Sequence, residues 1–352
     1  MLQELADHGV NRGIVLSGID FRLPDQFGRE TERDISVRHM NECSTLTSVS
    51  IAGRAREFAI QAKAASTRRA YASDWADFAS WCQAQGRTAL PAGPETVALY
   101  VTALADQRKV ATIQRRIAAI SQTHQFAGHP SPTRDIVLRT VMAGIRRAKG
   151  TAQVGKRPIL TEDLRLLIAE LPDTTTGQRD RALLLLGFAG GFRRSELVGL
   201  NVADLSFTRD GLVVMLRRSK TDPEGQGREV GIPYGSNPAT CPARAVRSWA
   251  EVVGGDGPLF RPINRHGQVL NRRLTDKSVA LIVKRWAAAA GIESAGVAGH
   301  SLRAGLATSA AAAGVPERAI MAQTGHRSLT TLRKYIRSGS LFLENAAARV
   351  GL

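Results

Sequence analysis

Two stretches of apolar periodicity are separated at residues 150–158 by GTAQVGKRP, a small and polar segment with two glycines and a closing proline. It has no apolar face to bury and little propensity for helix or strand, so it reads as a linker. With 352 residues in all, the chain exceeds what one core usually organises, and two domains are expected. Before the linker, Tyr71, Trp75, Phe78 and Cys82 recur at helical spacing, with Ser66 and Thr67 as expected N-caps. Three further apolar faces follow: Val97, Tyr100, Val101 and Leu104; Ile113, Ile117 and Ile120; Leu138, Val141, Met142 and Ile145. Residues 52–149 are thus expected to form a small helical bundle. Residues 1–51 are mixed in charge without a sustained period and read as an N-terminal extension, inside which Met40 is a second possible start.

After the linker, Thr161 is expected to cap a helix running through Leu171, and RDRALLLLGFAGG (179–191) reads as a buried helix. A short helix over RRSELVGL follows. Three strands are then expected at 204–208, 212–218 and 228–233, joined by the tight RDG and by the glycine-rich KTDPEGQG. Helices resume at 242–253, 275–290, 300–313, 316–324 and 328–336. The expected fold is mainly α with a small antiparallel β-sheet, an α+β second domain over 159–338, and an apolar tail helix over 339–352.

Charge narrows the function. Lys and Arg number 48 against 31 Asp and Glu, a net +17, which points to a polyanion, most commonly nucleic acid. The pairs Arg68–Arg69, Arg115–Arg116 and Arg146–Arg147 fall on the polar faces of the first bundle, and Lys156 and Arg157 lie in the linker. All eight are candidate DNA contacts; solvated surface charge is the plainer reading of any one. Cys43, Cys82 and Cys241 are far apart and form no C-x-x-C pair, which argues against a zinc site or a disulfide framework and suits a reducing cytoplasm. No apolar run reaches the ~18 residues of a membrane span, and the N-terminus shows no signal pattern.

Five short segments stand out in the second half: GGFRRSELVGL (190–200), RRSKTDP (217–223), GHSLRAG (299–305), TGHRS (324–328) and LRKYI (332–336). Each has an ordinary explanation: a surface ion pair, a hairpin lysine, a chance H-x-x-R, a glycine–histidine helix end and a packed tyrosine. In this order and spacing they resemble the tyrosine recombinases, the phage-integrase or Cre-like family, over residues 55 to 352. The resemblance assigns catalytic roles to Arg193, Lys220, His300, Arg303, His326 and Tyr335, with Glu196 in support. Arg194 is the competing register for the first arginine; the preceding Gly191–Phe192 and the i,i+3 relation to Glu196 favour Arg193.

The residue types suit phosphodiester chemistry without a metal or other cofactor. The segments offer guanidiniums in place of clustered carboxylate ligands, and arginine forks match phosphate oxygens. Arg193 and Arg303 would clamp the non-bridging oxygens, with His326 as a third donor. His300 would take the Tyr335 proton, neighbouring cations would favour the phenolate, and Lys220 would protonate the departing 5′ oxygen. The resemblance further implies a C-shaped clamp of two domains around double-stranded DNA and a 3′-phosphotyrosine. It also implies strand exchange through a Holliday junction by four protomers, with the tail docking onto a neighbour. A type IB topoisomerase and a catalytically inactive DNA-binding regulator on the same fold are the alternatives.

Overall fold

The computed structural model describes residues 62–151, 155–219, 222 and 224–339, together with positions 15, 16, 19, 20, 54 and 58. The chain divides into two compact units, Met1–Gln153 and Val154–Leu352. In the extension, Val15–Leu16 pairs antiparallel with Ile19–Asp20, a ribbon not expected from the sequence.

The first unit is built from α1 (Ala65–Ala84), α2 (Pro94–Ala105), α3 (Val110–Phe126) and α4 (Ile136–Lys149). The apolar faces expected from the periodicity meet in one core, where Phe78, Val97, Tyr100, Val101, Ile113 and Ile120 are fully buried. Ser66 and Thr67 lie inside the first turn of α1, whose N-cap is Ala64, with no side-chain cap. The Asp135 carboxylate does cap α4, accepting from the Val137 N–H at 2.7 Å.

Arg116 departs from its expected place on the outer face. It is buried, donates to the Tyr100 hydroxyl at 2.6 Å, and pairs with Asp77 and with Asp74 at 3.7 Å. Arg115 grips Asp74 with two bonds of 2.8 and 3.0 Å. Helical spacing alone could not separate these two arginines from solvent-facing ones. The buried Asp74 carboxylate on α1 needs a cation; Arg115 meets it from the exposed face, and Arg116, paired also with the half-exposed Asp77, is the one drawn inward. Arg116 is therefore removed from the DNA contacts, and Arg115 is already paired.

The second unit opens with α5 (Thr161–Ala169) and α6 (Thr175–Ala189), then the short α7 (Arg194–Gly199). Helix α5 starts at Thr161 and ends before Leu171. At its start the Leu160 N–H donates to the Asp163 carboxylate at 3.0 Å and the Thr161 N–H to the Ser309 hydroxyl at 3.3 Å, so Leu160, not Thr161, is the N-cap. Helix α6 begins polar, with Arg179 and Asp180 paired at 2.7 Å, and its second half, from Ala182, is apolar on all sides, with Leu183 to Leu186 buried in the core.

A three-stranded antiparallel sheet follows: β1 (Leu205–Phe207), β2 (Gly211–Leu216) and β3 (Arg228–Pro233), in that spatial order. Leu212, Val214 and Leu216 face inward from β2 opposite Ile232, Val230 and Arg228 of β3. Among the described residues, five helices follow: α8 (Pro242–Val253), α9 (Asp276–Ala289), α10 (Ser301–Ala312), α11 (Glu317–Thr324) and α12 (Leu329–Gly339). Helices α8 and α9 bring Trp249 and Trp286 into the core, where their indole N–H groups donate to the Leu259 carbonyl and the Asp180 carboxylate, each at 2.8 Å. Helix α12 packs along α10, which determines where the site forms. Among the described residues no helix is long and apolar enough to cross a membrane.

Candidate active site

Three helix ends and the middle of α12 come together. Arg193 is the N-cap residue of α7, His300 that of α10, and Arg303 lies in the first turn of α10. His326 follows the left-handed Gly325 that ends α11, and Tyr335 lies on α12.

Arg193 is held by Glu196, whose carboxylate accepts from the Arg193 backbone N–H at 2.9 Å and from its guanidinium. The carboxylate is buried and the guanidinium partly open. One residue thus caps the helix and aims the arginine. Arg194 turns the other way, against Gly299, and lies 3.9 Å from Asp276; of the two registers, Arg193 is the one gathered into the cluster.

Arg303 is 1% exposed. It donates to the Gly191 carbonyl at 2.7 Å and to the Thr324 carbonyl, while its Nη2 has no hydrogen-bond partner among the described residues. Burial, and then the charge of Arg193, push its pKa down to about 10, so it stays a cation at neutral pH. A buried guanidinium with a spare N–H group is a receptor for an anion.

The Tyr335 hydroxyl lies 2.8 Å from His300 Nε2. Burial, followed by the cations Arg303, Arg193 and Arg194, holds His300 below its ordinary pKa, so it is a neutral imidazole that can accept a proton. The expectation that nearby cations make the phenol more acidic is not met. Burial raises the Tyr335 pKa and outweighs the opposing charge of Arg303. Nor are Arg333 and Lys334 the cations that act on it. Neighbours one and two apart on a helix do not face each other, and Arg333 is instead paired with Glu317 at 3.1 and 3.2 Å. The free site therefore holds a protonated phenol against a neutral base.

His326 faces the same ring, its centroid 6.0 Å from that of Tyr335. The Thr324 hydroxyl donates to the Ile320 carbonyl at 2.6 Å and contacts His326 Nδ1 at 2.7 Å. A hydroxyl has one proton, so this pattern assigns the proton of the second bond to Nδ1. Nε2 of the neutral ring is then an acceptor. Burial, then Arg303, push the His326 pKa down to about 3, so in the free site it cannot donate through Nε2, as a phosphate oxygen would need.

Lys220 lies outside the described residues, as do the tail residues beyond Gly339. The hairpin that carries the lysine is in place, formed by β2 and β3. Of the DNA-contact candidates, Arg69, Arg146 and Arg147 are exposed and Arg68 is half-buried. In the second unit, Lys156 Nζ donates to the Ala295 carbonyl at 2.7 Å and Arg157 to Asp163 at 2.9 Å. Among the described residues, no three His, Cys, Asp or Glu side chains gather as ligands for a metal ion.

Two residues near the cluster escaped the sequence reading, Thr324 and Arg228. Burial and the charge of Arg193 lower the Arg228 pKa, while Glu196 opposes the shift. No sequence signal marks an arginine at the start of a strand as part of a site.

Residues 158–340 match the phage integrase family, and residues 57–129 match the phage integrase N-terminal SAM-like domain. The chain is 46% identical over 296 residues to the integrase/recombinase xerD homolog of Selenomonas ruminantium, spanning 82% of this chain and 86% of that one. Tyrosine recombinase XerD of Xanthomonas axonopodis pv. citri is 36% identical over 172 residues, 48% of this chain and about half, 54%, of its own length. In fold, the chain resembles the XerH site-specific recombinase in its post-cleavage complex with a palindromic difH substrate. That match has a TM-score of 0.55 at 18% identity, over 73% of this chain and 72% of the other.

Proposed function

Because this chain belongs to the phage integrase family of tyrosine recombinases, enzymes of site-specific DNA recombination, we propose that it breaks and rejoins DNA through Tyr335. The contact between the Tyr335 hydroxyl and His300 Nε2, 2.8 Å long and beside buried Arg303, carries this reading. Nucleophile and base already stand in hydrogen-bond reach.

As a DNA phosphate enters, its negative charge meets the spare N–H groups of Arg303 and the Arg193 guanidinium. Tyr335 Oη attacks phosphorus while its proton passes to His300. The bond from phosphorus to the 5′ oxygen breaks, and Lys220 supplies the proton that leaves with the 5′-hydroxyl. The product is a 3′-phosphotyrosyl ester that a 5′-hydroxyl of another strand reverses, so no external energy source is consumed. His326 contributes a donor once the incoming anion has drawn a proton onto Nε2. Glu196 keeps Arg193 in place.

Double-stranded DNA is the partner, approached by both units, with Arg69, Arg146 and Arg147 as exposed phosphate contacts on the first. The protein would act in the cytoplasm on nucleoid DNA, as a tetramer on paired sites. The tail supports that assembly: Leu341, Phe342, Leu343 and Val350 form an apolar set. The second unit offers a cavity of about 530 Å³ lined by Leu185, Phe188, Leu306, Ala310, Val315 and Ile320. A neighbour's tail seated there would couple protomers.

The test is covalent capture on a pool of nicked duplexes of random sequence. The protein should form a denaturant-stable adduct, and sequencing the captured DNA should return one site. Tyr335→Phe should abolish the adduct and retain binding. An adduct with the Phe variant refutes the assignment. Exchange of segments between paired sites separates recombination from relaxation of supercoils alone.

A further inference from the structure

Helix α11 (Glu317–Thr324) ends one residue before Gly325 and two before His326, so whatever holds its last turn also holds that histidine. The last four carbonyls of a helix have no partner within it. Here each is met. The Met321 carbonyl accepts from the Gly325 N–H at 2.8 Å. Those of Ala322 and Gln323 accept from Arg228 Nη1 at 3.1 and 3.3 Å. That of Thr324 accepts from Arg303. Two arginines thus share one helix end, where the helix dipole favours cations.

Arg228 reaches this end from the first residue of β3. Its guanidinium lies flat on the Gly325 backbone: a Cβ at Gly325 would stand 3.0 Å from Cζ, Nε and Nη2 of Arg228. The left-handed φ of 66° at Gly325 favours glycine, and the close approach leaves a Cβ there no room unless the Arg228 guanidinium shifts. Gln323 adds a second tie, donating from Nε2 to the Gly231 carbonyl of β3 at 3.2 Å. The strand, the helix end and the histidine are therefore one joined structure, and the sheet edge that enters it also closes the hairpin carrying Lys220.

We propose that Arg228 is a positioning residue for the cleavage step, acting through the 322–326 turn to hold the His326 ring against Tyr335. It rests on the reading of Tyr335 as the nucleophile. Its job is geometric: without the bonds to Ala322 and Gln323, the turn is held only by Arg303, the Gly325 N–H and the Gln323 amide, and the frame of the Thr324–His326 hydrogen bond loosens. A shift of about 1 Å in a group of this kind can cost on the order of 100-fold in rate.

The experiment uses the full chain and the nicked duplex selected by covalent capture. Arg228→Met should slow adduct formation at saturating DNA by about 10–100-fold, with the half-saturating DNA concentration unchanged. Arg228→Lys, whose ammonium can donate to the same carbonyls, should recover part of the rate. In a His326→Ala background, Arg228→Met should cost little more, about 3-fold or less, since residues acting as one unit are not additive. A full additional loss there, or a loss confined to DNA affinity, overturns the proposal.

A second readout needs no DNA. In histidine-ring NMR spectra, Arg228→Met should move the His326 signals. Those of His124, fixed in the other unit between Ala92 N–H and the Ile120 carbonyl at 2.8 Å each, should stay. Unmoved His326 signals in a folded variant overturn the proposal. Should the Met variant fail to fold, Arg228→Gln, whose shorter side chain carries an amide but no charge, replaces it in both comparisons. If the wild type forms no adduct, the tyrosine reading fails, and the NMR comparison alone decides the role of Arg228.

Discussion

Replacing Glu196 tests whether the site is a cluster of buried cations kept stable by one carboxylate. The Glu196 side chain is 1% exposed and that of Arg193 18%. The same carboxylate favours the charged forms of Arg303 and Arg228, which burial disfavours. Breaking a buried pair by removing one partner costs about 3–5 kcal/mol, because the other charge stays buried. The partial exposure of Arg193 lets water relieve it, which puts Glu196→Ala near the lower end, about 3 kcal/mol. Glu196→Gln keeps an acceptor for the Arg193 N–H, a bond worth about 1 kcal/mol, and so should cost about 2. For a unit of this size, about 2–4 °C of melting temperature per kcal/mol is expected, giving a loss of about 6–12 °C for Ala and 4–8 °C for Gln. Calorimetry can resolve the units: the transition of the second should fall and that of the first should not. Sulfate or duplex DNA, by supplying an anion to the unpaired guanidiniums, should restore more stability to the variants than to the wild type. A loss below about 2 °C for Glu196→Ala, or the same gain from anions in variant and wild type, would show that the guanidiniums are solvated independently of Glu196.

Gly305→Ala should be among the most damaging single changes, since a Cβ there would stand 1.7 Å from the Ile159 carbonyl oxygen. The segment around Ile159 that leads into α5 must move away from α10, at a cost of about 2–4 kcal/mol, measurable by urea unfolding. The pH profile of cleavage follows from His300. Burial and the cations Arg303, Arg193 and Arg194 keep it neutral below its usual 6.5, so the acid limb should lie below that value. Arg194→Gln removes one repelling charge and should move the limb up towards 6.5, as read from single-turnover rates; a limb that moves down refutes the electrostatic account. Arg116→Met should lower the melting temperature of the first unit, because it takes the guanidinium from Asp77 and from the buried Tyr100 hydroxyl while Asp74 keeps Arg115, yet leave the salt dependence of DNA binding intact. Arg147→Ala should do the reverse, reducing that dependence by about one phosphate contact.

Much of this protein is legible in the sequence because helix and strand periodicities are local properties. The faces Val97–Tyr100–Val101–Leu104 and Leu138–Met142–Ile145 read off as core and are core. The alternating strand over 228–233 appears at its expected bounds. Arg193, His300, Arg303, His326 and Tyr335, scattered over more than a hundred positions, could be picked out by residue type and order. What charge does at each of them could not. Arg116 reads like any surface arginine until two aspartates from another helix meet it. Tyr335 looks acidified by its sequence neighbours until the fold turns those away and buries the ring. Arg228 has no sequence mark at all, since its importance lies in the free carbonyls of a helix end distant along the chain. Periodicity and residue chemistry are written along the chain, so the sequence determines the elements and the kinds of group available. Burial and hydrogen-bond pairing depend on which elements meet, so only the tertiary structure decides which arginines are structural, which proton each histidine holds and which residue steadies the rest.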